Sequence, residues 1–315
     1  MGRLLQTKIF FICLFVSTAV FAEIQTTLSN TNFSISKGSI FPNDKKRYLY
    51  NYDRLRLRID YTKENFFLSM IGDGINYFGK EYVNSPSFSY VKIFKSDTPY
   101  ATQTPFYEYK NGNLFAKLYR LYGGYEDASN RIIVGLQNIR MGVGRIWNPT
   151  NLFNSRNTYA LEPNKIFGVS AISYTRHIND LSDITMVVSQ KKDLTYKYAL
   201  RYKAFLAYAD FALNMVSSKE TKMLGYEIEA NLAQTGIEVR SEGAWIKNKV
   251  EFFQGIVGAD YYFENGITLV GEALYSSKTF DYETIFQNIN SEILPNLHFS
   301  NYYVGGTVRY SFLLF

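Results

Sequence analysis

Three stretches of this chain alternate charge with apolar or aromatic residues so regularly that only one backbone geometry suits them. In Arg54 to Tyr61, Arg54, Arg56, Arg58 and Asp60 oppose Leu55, Leu57, Ile59 and Tyr61. Lys197, Ala199, Arg201 and Lys203 likewise oppose Tyr196, Tyr198, Leu200 and Tyr202, and Gly225, Glu227, Glu229 and Asn231 oppose Leu224, Tyr226, Ile228, Ala230 and Leu232. A strand sends neighbouring side chains to opposite faces, whereas a helix would scatter these charges around its whole circumference. Noisier segments of the same kind cover 64–73, 112–123, 130–140, 166–178, 182–190, 206–216, 234–246, 250–263, 266–278 and 302–315. Tight polar turns separate several of them: 62–65, Asn179-Asp180, Lys247-Asn248-Lys249 and Glu264-Asn265-Gly266. Strands spaced this way with such turns read as consecutive antiparallel hairpins. With 47–61, 195–203, 222–232 and a further segment near 26–36, the count is fourteen, although twelve or sixteen stay open because Phe88 to Lys95 reads either as a strand or as part of a loop.

The amino terminus points to export. Arg3 and Lys8 precede an apolar run, Ile9 to Val20, and Val20-Phe21-Ala22 places small residues where a signal peptidase cuts. That run is shorter than the ~20 residues of a membrane-spanning helix. The expected mature chain is therefore 23–315, one domain without Cys13, the sole cysteine; it has no disulfide, thiolate metal site or cysteine nucleophile. Tyr and Phe number 27 and 25, yet mean hydropathy is only −0.17, and no later segment is apolar for long enough to cross a bilayer as a helix. In hydrocarbon every backbone N–H and C=O needs an internal partner, so a sheet spans only by closing on itself. The fold class expected is all-β, a transmembrane antiparallel up-and-down β-barrel of about 14 strands, with aromatic belts at the lipid headgroups. Even parity puts both termini in the periplasm and the three longest connections, 74–111, 141–165 and 279–301, outside.

The last segment, Tyr302 to Phe315, ends on an aromatic. It resembles the carboxy-terminal signature of outer-membrane barrels, which implies that Phe315 is a label for the barrel-assembly machinery. Val304, Val308, Tyr310 and Phe312 share one face while Leu313 and Phe315 lie on the other, a departure that a bulge or a doubly apolar last strand accommodates. Residues 135–155 read GLQNIRMGVGRIWNPTNLFNS. This is similar to a pattern of bacterial outer-membrane porin-like barrels, roughly R-x-x-W-G-x-G-R-x-W-N-P-T-D-x-F-N-P, with Gly142, Gly144, Arg145, Trp147, Asn148, Pro149, Thr150, Leu152, Phe153 and Asn154 matching. Met141 stands for a Trp, Asn151 for an Asp and Ser155 for a Pro. Independently of the resemblance, Gly142 and Gly144 allow a bulge or close backbone approach, Asn148-Pro149 starts a turn, and Trp147 and Phe153 suit a loop anchored on the barrel. Two placements remain open: a constriction loop folded inward, or a loop capping the rim.

Charges on a lipid-facing surface would cost ~2–4 kcal/mol each near the midplane, so the charged faces are assigned to the lumen. The candidate pore-lining residues are Arg54, Arg56, Arg58, Lys197, Arg201, Lys203, Glu227, Glu229, Glu238, Arg240 and Glu242. Glu227, Glu229, Glu238, Glu242, Asp260 and Glu272 crowd into four consecutive strands, and in a ring of fourteen the arginine strand lies six steps from Glu227 and Glu229. This resembles the transverse field of general porins. Losing Arg3 and Lys8 takes the net charge from +6 to +4, a basic balance that does not imply nucleic acid in an exported barrel. His177 and His298 are the only histidines. His298 follows Glu292 in the last long connection, but no nucleophile and base converge in a recognisable pattern, so neither an enzyme nor a cofactor is expected. The sequence thus favours a weakly selective, porin-like channel for small hydrophilic solutes or ions in the outer membrane of a Gram-negative bacterium. Its partners would be membrane lipid, the assembly machinery and small solutes, with a homo-oligomer left open. A non-transporting barrel that acts through its outer loops, as an adhesin or structural protein, is the alternative.

Overall fold

Alternation on this scale becomes strand throughout. The structure is a computed structural model that describes residues 23–38, 45–93, 96–153, 168–232, 235–288 and 291–310. Two compact units form: Met1–Lys92 with Thr102–Asp127 and Ile133–Leu136, and Ile93–Ala101 with Ala128–Ile132 and Gln137–Phe315. The signal segment and Phe315 lie outside the described residues, as does the last part of the terminal strand expected from the sequence.

The first unit holds β1 (Glu23–Gly38), β2 (Arg47–Lys63), β3 (Phe66–Phe78), β4 (Gln103–Tyr109) and β5 (Gly112–Glu126). β1, β2, β3 and β5 are successive antiparallel neighbours, and β4 folds back on the first half of β5. In β2 the even positions Tyr48, Tyr50, Tyr52 and Arg54 are buried, and the odd positions Leu49, Leu55 and Leu57 are exposed. The connection 74–111 is not a plain loop. It carries the end of β3, two short helices, α1 (Lys80–Val83) and α2 (Pro86–Ile93), and β4. Phe88 to Lys95 is therefore helical over Pro86–Ile93 rather than a strand. Pro86 is pre-organised for a first helical turn, and Ser85 Oγ accepts the Phe88 N–H at 3.2 Å. Burial of Phe88 against Tyr77, Tyr82 and Phe115, and a Tyr50–Tyr82 stack at 3.6 Å, then fix the segment from outside.

β6 (Asn130–Gln137) is divided between the units. The second unit continues with β7 (Val169–Asn179), β8 (Ser182–Gln190), β9 (Tyr196–Leu206), β10 (Ala209–Ser217), β11 (Lys222–Asn231), β12 (Ile237–Lys247), β13 (Glu251–Tyr262), β14 (Ile267–Ser276) and β15 (Tyr302–Tyr310). From β7 onward each strand pairs antiparallel with the next in chain order. β4 apart, the described strands number fourteen, and every alternating segment read from the sequence is among them. The tight turns fall where expected; Glu64 and Gly266 take left-handed φ values of 53° and 84° to make two of them. Between β14 and β15, α3 (Tyr282–Gln287) is capped by Asp281, whose carboxylate accepts the Thr284 N–H at 2.7 Å. No helix of the described residues is long and apolar enough to cross a membrane.

The strands of the second unit bury charge and expose grease. Tyr198, Leu200, Leu224, Val257 and Tyr275 are exposed, while Lys197, Glu227, Arg240, Glu242, Asp260 and Glu272 are buried. One residue of register separates the two environments. Ile256→Ala, on the buried side of β13, is expected to cost about 2–5 kcal/mol. Val257→Ala, its exposed neighbour, should stay within about 0.5 kcal/mol. Denaturant unfolding of the two variants in detergent micelles checks the register; equal losses would contradict it.

A carboxylate-docked loop as the candidate functional site

The segment after β6 folds onto the buried face of β11 to β14. Six consecutive backbone amides, Gly142 to Trp147, donate to three glutamates. Gly142 N–H bonds Glu227 Oε1 at 2.7 Å, and Val143 and Gly144 bond Glu242 Oε2 at 2.8 and 3.0 Å. Arg145 N–H bonds Glu272 Oε2 at 2.9 Å, while Ile146 and Trp147 bond Glu272 Oε1 at 3.2 and 2.7 Å. Thr150 returns to Glu242 Oε1 through both its N–H (2.7 Å) and its hydroxyl (2.8 Å). A carboxylate offers about four lone-pair sites, and Glu242 fills four with loop donors alone. Successive amides turned toward one side form an anion-binding concavity, and here the anion is the protein's own wall.

Gly142 has φ +87°, and a Cβ there would fall on the Asn148 side chain; a Cβ on Gly144 would fall on the Trp147 carbonyl. Asn148 O accepts the Asn151 N–H at 3.3 Å, which closes the expected turn around Pro149. Small residues on the wall receive the loop: Gly225 lies under Thr150, and Gly305 lies under Ile146 and the Trp147 ring. Trp147 also packs on Tyr303, with centroids 6.1 Å apart. The loop thus lies on the buried face of β11 to β14, held there by those carboxylates.

Guanidinium groups complete the arrangement. Arg145 reaches Glu238 at 2.5 Å, Glu229 at 3.1 Å and Asp260 at 3.3 Å. Arg240, buried, reaches Asp260 at 2.6 Å and Glu272 at 3.3 Å, and Arg201 reaches Glu227 at 2.7 Å. Lys203 pairs with Asp210 at 3.1 Å. All eight candidates from the second unit thus sit on one face, but most of them face the loop or each other. The sequence showed the crowding of acids in β11 to β14; what it did not show is that loop amides answer them. Backbone N–H groups carry no sequence signature, and only the paired glycines hinted at a close approach.

The far end of the loop is apolar and pinned. Met141, Leu152 and Phe153 enter a buried cluster with Val187, Val216, Met223, Ile246 and Leu297. Lys197 donates to the Leu152 carbonyl at 2.8 Å and pairs with Glu292 at 2.6 Å, and Asn296 Nδ2 donates to the Pro149 carbonyl at 3.0 Å. Burial alone would raise the Glu292 carboxyl, but the Lys197 ammonium and the hydroxyls of Ser218 and Thr221 hold it down to about 2. Burial pulls His298 down to about 4; its ring lies against Tyr303. Glu292 and His298 therefore have different partners and do not form an acid–base pair. His177 lies at the end of β7, its backbone N–H on the Ser129 carbonyl.

In the first unit Arg56 forms a two-pronged pair with Asp73 at 2.6 and 2.7 Å, Arg54 donates to Thr31 Oγ1 at 2.7 Å, and Arg58 meets Asp60 at 2.5 Å. The arginine row is thus matched inside its own unit. Among the described residues no His, Cys, Asp and Glu grouping suits a metal.

No family model matches the chain. No curated protein matches it either. Solved structures similar to it include Pseudomonas aeruginosa OccD3 (OpdP), 9% identical over 83% of this chain, TM-score 0.48; the chain spans 59% of that protein's length. A BenF-like porin from Pseudomonas fluorescens is 8% identical over 81% of this chain and 67% of its own, TM-score 0.49. A Rhodopseudomonas blastica porin variant is 8% identical over 91% and 98%, TM-score 0.41.

Acid should loosen the 291–298 pin in two stages. The depressed Glu292 contributes fully above its ordinary 4.5 and loses that contribution as pH falls through about 2. The folded state resists protonating His298, so stability falls as pH drops from 6.5 toward 4. Each stage is worth roughly 3 kcal/mol. Hydrogen exchange of 291–298 should show both, with Glu292→Gln abolishing the lower stage and His298→Asn the upper; an unchanged profile in both variants would exclude these groups.

Proposed function

We propose that this chain is a porin-like β-barrel of a Gram-negative outer membrane, through which small hydrophilic solutes or ions pass passively and with weak selectivity. One observation carries the reading: strands that expose Tyr, Leu and Val bury charge on the opposite face, and a loop is docked on that charged face. Lipid tolerates the first surface and not the second, and a charged lumen narrowed by a loop is what a selective aqueous passage requires. In this reading Arg54, Arg56, Arg58, Lys197, Arg201, Lys203, Glu227, Glu229, Glu238, Arg240 and Glu242 belong to the lumenal side. Residues 142–154 are the structural loop of the porin-like family they resemble. Residues 1–22 are the export signal, Phe315 is the mark read by the assembly machinery, and lipid and further copies of the chain are its membrane partners.

Purified protein in planar bilayers should give stepwise conductance. Glu242→Gln combined with Glu272→Gln weakens seven of the acceptor contacts that hold the loop, and should turn steady steps into fluctuating ones with a larger open level. Silence in both proteins would remove the channel reading and favour a barrel acting through its outer loops.

A further inference from the structure

Beside the docked loop the wall leaves a cavity of about 500 Å3 between loop residues 138–151 and the inner face of β13, β14 and β15. Its lining carries three guanidinium groups, Arg140, Arg145 and Arg309, against one carboxylate, Asp260. Asp260 is already bonded by Arg240 and Arg145, and Arg145 is further matched by Glu229 and Glu238. Arg140 and Arg309 are different: both are exposed, and neither has an ion pair among the described residues. Arg309 stands opposite Thr268, and Tyr262 opposite Thr268 on the other side, so a guanidinium, a hydroxyl and a phenol form one row across three strands. The amide side chains of Asn138, Asn148 and Asn151 line the loop side. Arg140 also borders a second cavity of about 310 Å3, where the other cations, Arg145, Arg201 and Lys203, are paired with Glu229, Glu227 and Asp210 respectively.

We propose that Arg140 and Arg309 form a binding station for small oxyanions, carboxylate or phosphate, in this cavity. The inference deepens the channel reading and rests on it for its role in transport, but binding itself does not require an open pore. Glu227, Glu242 and Glu272 turn their oxygens into the loop amides, and Glu229 and Glu238 turn theirs to Arg145, so the charge left facing the cavity is cationic. Guanidinium groups hold planar or tetrahedral oxyanions through paired N–H donors, and the neighbouring hydroxyl and amide groups complete the shell. The cavity is large enough for a small acid and several waters.

The test uses detergent-solubilised full-length protein carrying Trp245→Phe, which leaves Trp147, on the docked loop, as the reporter. At constant ionic strength, sodium phosphate and sodium acetate are titrated against Trp147 fluorescence, with sodium chloride as reference. A saturable response to either oxyanion, weakened about tenfold or more in Arg140→Gln/Arg309→Gln and unchanged in Lys249→Gln, supports the station. Response to phosphate alone assigns phosphate-class solutes; response to both includes carboxylates. A response no different from chloride, or one untouched by the double variant, overturns it. Because both arginines are exposed and unbridged, the double variant should keep heat-modifiable migration on gels, and a variant that loses it is replaced by Arg140→Lys/Arg309→Lys, expected to restore most of the response. Bilayer recordings separate the two readings. Conductance without oxyanion binding rejects the station alone, whereas binding without conductance keeps the station and rejects the channel.

Discussion

The hydrogen bonds from Gly142–Trp147 to Glu227, Glu242 and Glu272 are the constraint on which the interior of the second unit depends. Glu227 and Glu242 stand directly opposite each other on β11 and β12, and Glu238 stands opposite Asp260 on β12 and β13. Like charges in such register destabilise a sheet, and burial makes each more costly still. The wall alone would be a poor sheet. With the loop in place, each buried carboxylate accepts amide or guanidinium donors, and the repulsion becomes a set of charge-assisted bonds. Leaving one side unmade costs far more than the net value of a single bond, which makes the arrangement close to all-or-none.

Polar docking sets the loop's register, and apolar burial supplies much of its hold. Leu152 and Met141 are almost fully buried, each worth roughly 1.5–3 kcal/mol against exposure. These residues sit in the cluster reached also by Ile293 and Leu297 from the connection before β15. Lys197 ties the two segments, holding the Leu152 carbonyl and the Glu292 carboxylate with one ammonium. A lone buried ammonium would be strongly unfavourable, so both segments must arrive for either to be well placed. The two long connections of this unit are therefore coupled through a residue whose own strand reads, in sequence, as an ordinary alternating one.

Strand positions were legible because each residue of Arg54–Tyr61 or Tyr196–Lys203 carries its face in its own chemistry. Phe88 to Lys95 misled for the converse reason. It is a short run with no charged face, and a Ser-Pro start together with burial of Phe88 among rings from β3 and β5 makes it a helix. β4 was missed because Gln103–Tyr109 lacks a charged face and includes Pro105, where the register with β5 shifts. At the site, the acids of β11 to β14 were visible and their role was not. Surplus carboxylate on one face reads as an anionic wall until the donors are found, and these donors were main-chain groups eighty or more residues away in sequence.

That division between side chain and main chain runs through the loop itself. Val143 and Ile146 each contribute an N–H to the docking, a group any residue but proline supplies. Other positions act in ways only their own residue type allows. Gly142 and Gly144 lie where a Cβ has no room, Arg145 spans three carboxylates, and Thr150 bonds Glu242 through its hydroxyl as well as its amide. Met141 is buried in the apolar cluster, a place that asks for volume and flexibility rather than a polar group. Substitutions are therefore best tolerated where the docking uses the main chain alone, and least where it uses the side chain or the lack of one.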